Sequence, residues 1–479
     1  MMRSAFLFLL CLALAVRVPA ADLPDLGDVA AEEFSPAEER QVGEEIMREV
    51  RKNPAWLDDP EIEEYINRLG RRLAAASSDP ARQFGFFVIK DGTLNAFALP
   101  GGYIGVHSGL ILAAQSESEL AGVIGHEIGH VNQRHIAQLV GKQKQATLLM
   151  LASILAAAAA NSSRASEAAV AAGVAGVTQA QLAYTRDFER EADRAGLQTL
   201  ENAGFDVRGM AGFFERMQRA TRLYENNAPA YLRTHPLTSE RIADMENRVM
   251  SMRYRQVPDS ADFGYVRARL GVQAQPAADA VRTFAGRVAN QPDDLAARYG
   301  LVLAQLRLGR LDDAARELGE LRRRAAPSPF VAHLSADVSL ARRDPDTAVK
   351  TLTDASRQFP ANMSLVYALA DARVAAGRAE EAAKGVRRAL VGHGGDIRLW
   401  QTLARAGAAQ GKRTAQHRAQ AEVYALQGAW RGALEQLELA RKAGDGDFYE
   451  LSAVDARIRD IRMRARDELQ RGQQRKNER

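Results

Sequence analysis

The chain has 479 residues, enough for two or three domains, and its 46% hydrophobic and 26% charged content is ordinary for a folded soluble protein. A net charge of +4 over that length, with no long basic run in the folded part, argues against nucleic-acid binding. A single cysteine excludes a disulfide framework.

Residues 1–20, MMRSAFLFLLCLALAVRVPA, open with a positive Arg3, continue in an apolar run from Ala5 to Val16 and end on Val18-Pro19-Ala20, the pattern of a cleaved secretory signal. Cys11 lies inside it, so the mature chain is expected to carry neither thiol nor lipid and to be exported to a bacterial periplasm. Ser35, Pro36 and Glu38 form a capping box with proline at the first helical position, predicting a helix to about Lys52. Residues 83–111 interleave aromatic and branched residues with Asp91-Gly92 and Pro100-Gly101-Gly102, as a small antiparallel sheet with tight turns would. Ser116 with Glu119 caps a long helix, ESELAGVIGHEIGHVNQRHIAQLVG, in which Gly122, Gly125 and Gly129 predict close approach by another element. The apolar stretch 146–160 is short of the roughly 20 residues that span a bilayer. With the Ala/Gly-rich 165–177 it reads as a buried or interfacial helix pair covering a cleft, and membrane association is expected to be peripheral at most.

The chemistry gathers in three segments. In GHEIGH (125–130), His126 and His130 are four apart and share one helical face, with Glu127 about 100° round. Zinc hydrolases of the HExxH class use this arrangement: two histidines hold the metal and the glutamate takes a proton from the attacking water. A third histidine six residues after His130 would complete one solution, but position 136 is Ile, and His135 reads as a polar helix residue. The other solution is a glutamate on a second helix. YTRDFEREADRAG (184–196) supplies Glu189 to reach the metal and, four residues on, Asp193 to accept the free N–H of a ligand histidine. THPLTSERIADM (234–245) adds His235 and Arg241, either of which could hydrogen-bond an oxyanion; His235 could instead occupy the open metal position and hold the enzyme closed. The strand LNAFALP (94–100), with Asn95, Ala96 and Phe97, is expected to run along the cleft and pair with extended substrate by β-addition.

The second half is helical and repetitive. LGRLDDAARELGEL, RRDPDTAVKTL and AGRAEEAAKGVRRAL align Gly309, Arg343 and Gly377 at a spacing of 34, and Ala314, Ala348 and Ala382 at the same spacing. That period resembles the tetratricopeptide repeat, whose stacks form a concave surface for peptides or partner proteins. LQGAWRGALEQLELARKAG (426–444) repeats the glycine-to-alanine step of five, but 51 residues after Gly377, so the register slips by half a repeat.

HEIGH, the E-x-x-x-D of FEREAD, NAFALPGGYI and the THP…ER segment together resemble the gluzincin family that includes HtpX and the CAAX prenyl proteases. With the signal and the repeats, the chain resembles its periplasmic BepA-type branch. The resemblance covers nearly the whole mature chain. It implies one zinc ion per chain on His126, His130 and Glu189, Glu127 as catalytic base, Asp193 behind the ligands, and His235 and Arg241 as auxiliary groups. It also implies unfolded or misassembled proteins as substrates and outer-membrane protein quality control, with the repeats docking on the assembly machinery. The expected fold class is mostly α. After the signal (1–20), an α+β gluzincin metalloprotease domain with a small antiparallel sheet fills 21–260, and an all-α tetratricopeptide-repeat solenoid fills 261–479. Two other readings compete: a repeat-based adaptor or chaperone whose protease half is latent or structural, and a zinc-dependent amidase or deacetylase. The intact Glu127 argues against a lapsed site.

Overall fold

The computed structural model describes residues 34–142, 186–222 and 230–477. The expected signal and the apolar 146–177 stretch lie outside the described residues.

Helix α1 (Pro36–Val50) begins as its capping box dictates: Glu38 N donates to Ser35 Oγ, and Ser35 N donates to the Glu38 carboxylate at 2.9 Å. Asp59 caps α2 (Pro60–Ala75), which buries Ile62, Tyr65, Ile66, Leu69 and Leu73 as one stripe. The strands are β1 (Gly85–Ile89), β2 (Ala96–Leu99) and β3 (Tyr103–His107). The sheet is mixed, which corrects the antiparallel expectation. β3 lies between the other two, antiparallel to β2 and parallel to β1. Pro100-Gly101-Gly102 does make the tight β2–β3 turn, with φ of 78° and 81° at the two glycines. Asp91-Gly92 does not join paired strands. There the chain crosses over β3, with Gly109 N donating to Asp91 O at 2.8 Å. Gly105 makes room on β3, since a Cβ there would lie 2.5 Å from the Phe97 ring and 2.8 Å from that of Phe87.

Next come α3 (Ser108–Ala113), α4 (Glu117–Asn132), α5 (His135–Lys142), α6 (Arg186–Asn202), α7 (Arg208–Arg222), α8 (Ala230–Thr234) and α9 (Ser239–Ser251). Every residue of α4 from Ser118 to Val131 is buried, so this helix is the axis of the first half. The close approach expected of its glycines is realised against two helices. A Cβ on Gly122 would lie 2.7 Å from Met210 of α7, and one on Gly129 2.9 Å from the Ala192 carbonyl oxygen of α6. The single long helix expected from Glu117 onward is broken. Arg134 takes φ 54°, with its guanidinium donating to Phe34 O at 2.8 Å, and α5 restarts at His135.

The second half stacks α10 (Ala261–Gln273), α11 (Ala277–Asn290), α12 (Leu295–Arg307), α13 (Leu311–Arg324), α14 (Pro329–Ala341), α15 (Pro345–Gln358), α16 (Met363–Ala375), α17 (Ala379–Leu390), α18 (Ile397–Ala409), α19 (Arg413–Leu426), α20 (Trp430–Lys442) and α21 (Phe448–Asn477). The 34-residue period is a turn requirement: Gly309, Arg343, Gly377 and also Gly411 have φ of 75°, 61°, 73° and 71° between paired helices. Ala314, Ala348 and Ala382 are fully buried where those pairs touch. The register therefore holds one repeat further than the sequence pattern suggested, then takes a half-step to Gly428, whose φ is 73°.

The expected division at 260 falls in 253–260, which is neither helix nor strand, but the apolar core is continuous across it, joining Tyr65 and Ile66 to Phe263, Tyr265, Tyr299 and Phe330. The acidic start of α2 is the seat of the array. Arg269 of α10 lies 2.6 Å from both Asp59 and Glu61, His333 of α14 3.3 Å from Glu61, and Arg398 of α18 2.7 Å from Glu63. Met363 N at the start of α16 donates to Glu64 at 3.3 Å. Helices α10, α14, α16 and α18 of the array are thus tied to the chain's own α2. Among the described residues no helix is long and apolar enough to cross a membrane.

Candidate metal centre

Four side chains from three segments converge at the middle of α4. Their donor atoms, on His126, His130, Glu189 and His235, lie within 4.8 Å of one another and all four residues are buried; this is the one such group among the described residues. The i,i+4 spacing on α4 brings His126 Nε2 to 3.0 Å from His130 Nε2. Glu189, on the first turn of α6, lies 3.5 Å from each of them. His235 follows α8 and places Nδ1 3.0 Å from Glu189 Oε1 and Nε2 3.6 Å from Glu127 Oε1. Backbone packing of α4 on α6 makes this convergence: a Cβ on Gly196 would lie 3.0 Å from His126 N.

Electrostatics follow from burying these groups together. Burial pushes the Glu127 carboxyl above its ordinary range, against the opposing pull of His235, His126 and the Tyr231 hydroxyl. Burial alone would keep His126 neutral, but Asp193 and Glu189 outweigh it and push the imidazole up to about 9. His130 is held well below its ordinary value, first by burial and then by the neighbouring His126. Glu189 is held well below the carboxylate range despite burial, because His235, His126 and His130 surround it. Two imidazole nitrogens facing each other at 3.0 Å beside a buried carboxylate are a set of lone pairs that a cation would satisfy. The donor set, two or three imidazoles and one carboxylate, fits a divalent metal of the zinc type.

Asp193 Oδ1 lies 2.9 Å from His126 Nδ1. Arg241 Nε and Nη2 donate to Asp193 at 2.8 Å each, and Nη1 donates to Pro236 O and lies 2.7 Å from Glu189 Oε2. His235 lies in the same cluster of potential donor atoms as His126, His130 and Glu189. On β2, the Phe97 ring packs edge-on to Phe87 and His107, Ala96 is fully buried towards the core, and Asn95 keeps a buried Oδ1 without a hydrogen-bond partner.

Residues 60–249 match the model of Peptidase family M48, and residues 339–406 match a tetratricopeptide-repeat model. Over 454 residues the chain is 34% identical to a beta-barrel assembly-enhancing protease of Escherichia coli K12, covering 93% of this chain and 92% of that one. The chain belongs to the beta-barrel assembly-enhancing protease family. A putative member from Vibrio cholerae is also 34% identical, over 94% of this chain and 96% of that one. A mitochondrial metalloendopeptidase OMA1 of Arabidopsis thaliana is 29% identical over 42% of this chain and 39% of its own length. As a member of this family the chain is a metalloendopeptidase.

Two groups in this metalloprotease escaped the sequence reading. Tyr231 is fully buried, its ring stacks on His235 at 4.6 Å, its N–H donates to Leu94 O at 3.1 Å beside β2, and its hydroxyl faces the Glu127 carboxyl. Its spacing of four before His235 was the available signal. His135, passed over as a polar helix residue, is fully buried with Nδ1 2.8 Å from His130 Nδ1. Only the break at Arg134 turns it inward, and nothing in the local sequence announces that break.

Proposed function

We propose that this chain is an exported, periplasmic zinc endopeptidase that cleaves unfolded or misassembled proteins during outer-membrane β-barrel assembly, its repeats docking on the assembly machinery. The relatives' printed names support the β-barrel role, and the repeat match supports docking. The observation that carries the peptidase reading is Glu127: a fully buried carboxylate 3.6 Å from His235 and on the same helix as two metal donors. Burying a carboxylate this deeply opposes folding, so a latent scaffold has no use for it.

His126, His130 and Glu189 would hold the ion, with Asp193 orienting His126 and Arg241 neutralising the two carboxylates of α6. A bound zinc ion supplies a Lewis acid that makes water acidic near neutral pH and polarises a peptide carbonyl. Glu127 accepts the proton of the attacking water at one carboxylate oxygen and returns it to the leaving amine nitrogen. His235 acts as a fourth donor that keeps the centre closed until substrate displaces it. β2 is the edge of the sheet, and His107 N donates to Asn95 O at 2.9 Å. In that register Phe97 and Leu99 also pair with β3, while Ala96 and Ala98 turn their N–H and C=O groups outward, towards an extended substrate. Backbone pairing of this kind selects unfolded segments.

The test is cleavage of an unfolded reporter by the mature chain loaded with zinc. Glu127→Gln should lower turnover by about 100-fold or more while zinc still binds. Equal turnover in the mutant would remove Glu127 from the mechanism.

A further inference from the structure

We propose that His135, with Glu191 behind it, is the positioning group that fixes His130 as a metal ligand. This rests on the reading of His130 as a ligand, and goes beyond it by giving each histidine of the motif its own orienting partner. For His126 the partner is Asp193. For His130 an imidazole stands in that place. His130 Nε2 faces the donor cluster, 3.5 Å from Glu189 Oε1, so its hydrogen must sit on Nδ1, which points the other way. There it meets His135 Nδ1 at 2.8 Å. If His130 donates, His135 Nδ1 must accept, which puts the His135 hydrogen on Nε2. That nitrogen lies 3.2 Å from Glu191 Oε2. Both rings can therefore remain neutral, and one chain of donors runs from the metal centre to a carboxylate whose side chain is 43% exposed.

The surroundings hold this geometry. His135 is fully buried and its ring stacks on Phe188 at 4.3 Å with an interplanar angle of 10°. Its position depends on the left-handed turn at Arg134, φ 54°, which a continuous helix would not make. Without the turn, a residue five after His130 would stand well off its face. The backbone strain at Arg134 is thus matched to an inward-facing imidazole at the next residue. α6 supplies both the ligand Glu189 and the relay's far end, Glu191, on either side of the histidine pair.

A buried histidine that merely fills space would leave metal affinity unchanged when replaced by an apolar residue of similar size. A positioning residue would not. The experiment measures the zinc dissociation constant of the purified mature chain by competition with a chromophoric chelator, alongside zinc release rates. The variants are His135→Leu, His135→Asn and Glu191→Gln. His135→Leu should weaken zinc binding about 10- to 100-fold. His135→Asn, whose Oδ1 can take the place of Nδ1 as acceptor, should recover most of that loss. Glu191→Gln, on the exposed end, should weaken binding by less than about tenfold and needs no change in the core. Should His135→Leu fail to fold, Glu191→Gln is read against wild type: a loss of zinc affinity of at least about twofold upholds the inference and an unchanged affinity overturns it. Zinc affinity within twofold of wild type in a folded His135→Leu would overturn this inference alone, as would a loss that His135→Asn does not recover. A wild-type chain that binds no zinc would overturn both this inference and the metal-site reading beneath it.

Discussion

Arg241 neutralises two buried carboxylates at once: it bonds Asp193 through Nε and Nη2 at 2.8 Å and lies 2.7 Å from Glu189. Asp193 stays below the carboxylate range despite burial because His126 and then Arg241 bond to it, and Glu189 because His235, His126 and His130 surround it. Replacing it leaves both acids with one countercharge fewer in a dry site. Arg241→Met is expected to destabilise the metal-free protein by about 3–5 kcal/mol in urea denaturation. Arg241→Lys should recover only part, because a single ammonium cannot bond both oxygens of Asp193 in parallel. A change below about 1 kcal/mol for the methionine variant would mean the clamp is not a stabilising one.

At the scale of elements, the centre depends on how closely α4 and α6 pack. Glycine on a helix ordinarily lowers stability by about 1 kcal/mol relative to alanine, so propensity alone predicts that Gly129→Ala stabilises. The contact predicts the opposite, because the new Cβ would lie 2.9 Å from the Ala192 carbonyl oxygen, and backbone cannot move aside as a side chain can. We expect Gly129→Ala to destabilise by about 1–3 kcal/mol and to weaken zinc binding, since Glu189 moves with α6. Gly319, on α13, has nothing within 4 Å of its Cβ position and serves as the control. Gly319→Ala should raise stability by up to about 1 kcal/mol. A thermal melt of both settles which effect wins at each site. The same reasoning explains why the long helix stops at Asn132: α5 must turn to bring His135 back, and the left-handed Arg134 is tied down by Phe34 O.

For the whole molecule, the two halves are joined by buried charge as well as by a shared core. Asp59 and Glu61, at the start of α2, meet Arg269 of α10, and all three are largely buried. Burial raises Glu61 above its ordinary 4.5, so the stability tied to its protonation is fully present below 4.5 and is lost as pH rises through the higher folded value. Asp59 is opposite. Burial would raise it, but Arg269 and Gln273 hold it below its ordinary 3.8, so its contribution is present above that value and lost as pH falls through the lower one. Arg269→Met strands both carboxylates. It should destabilise the chain by about 3–5 kcal/mol at pH 7, and the deficit should shrink as pH falls and the two acids take up protons. Denaturation at pH 7 and at pH 5 measures this; a deficit that grows on acidification would refute the assignment.

Periodicity alone made the capping box of α1, the i,i+4 pair of His126 and His130, the E-x-x-x-D face of α6 and the 34-residue step of the repeats legible, because each depends on residues within a few turns of one another. The glycines of α4 announced a close neighbour without naming it. The order of the sheet was beyond such reading: whether β1 pairs with β2 or β3 depends on where residues 90–95 cross, which Gly92, Gly105 and Gly109 permit only through contacts on other strands and turns. The inward turn of His135, the diversion of Arg241 to Asp193 and Glu189, and the seating of the array on α2 are likewise long-range matters. A side chain's chemical type limits what it can do, and the sequence shows that type. Which partner it meets is decided by packing, and only the assembled tertiary structure brings residues 130 and 135, 193 and 241, or 61 and 269 into hydrogen-bond and ion-pair range.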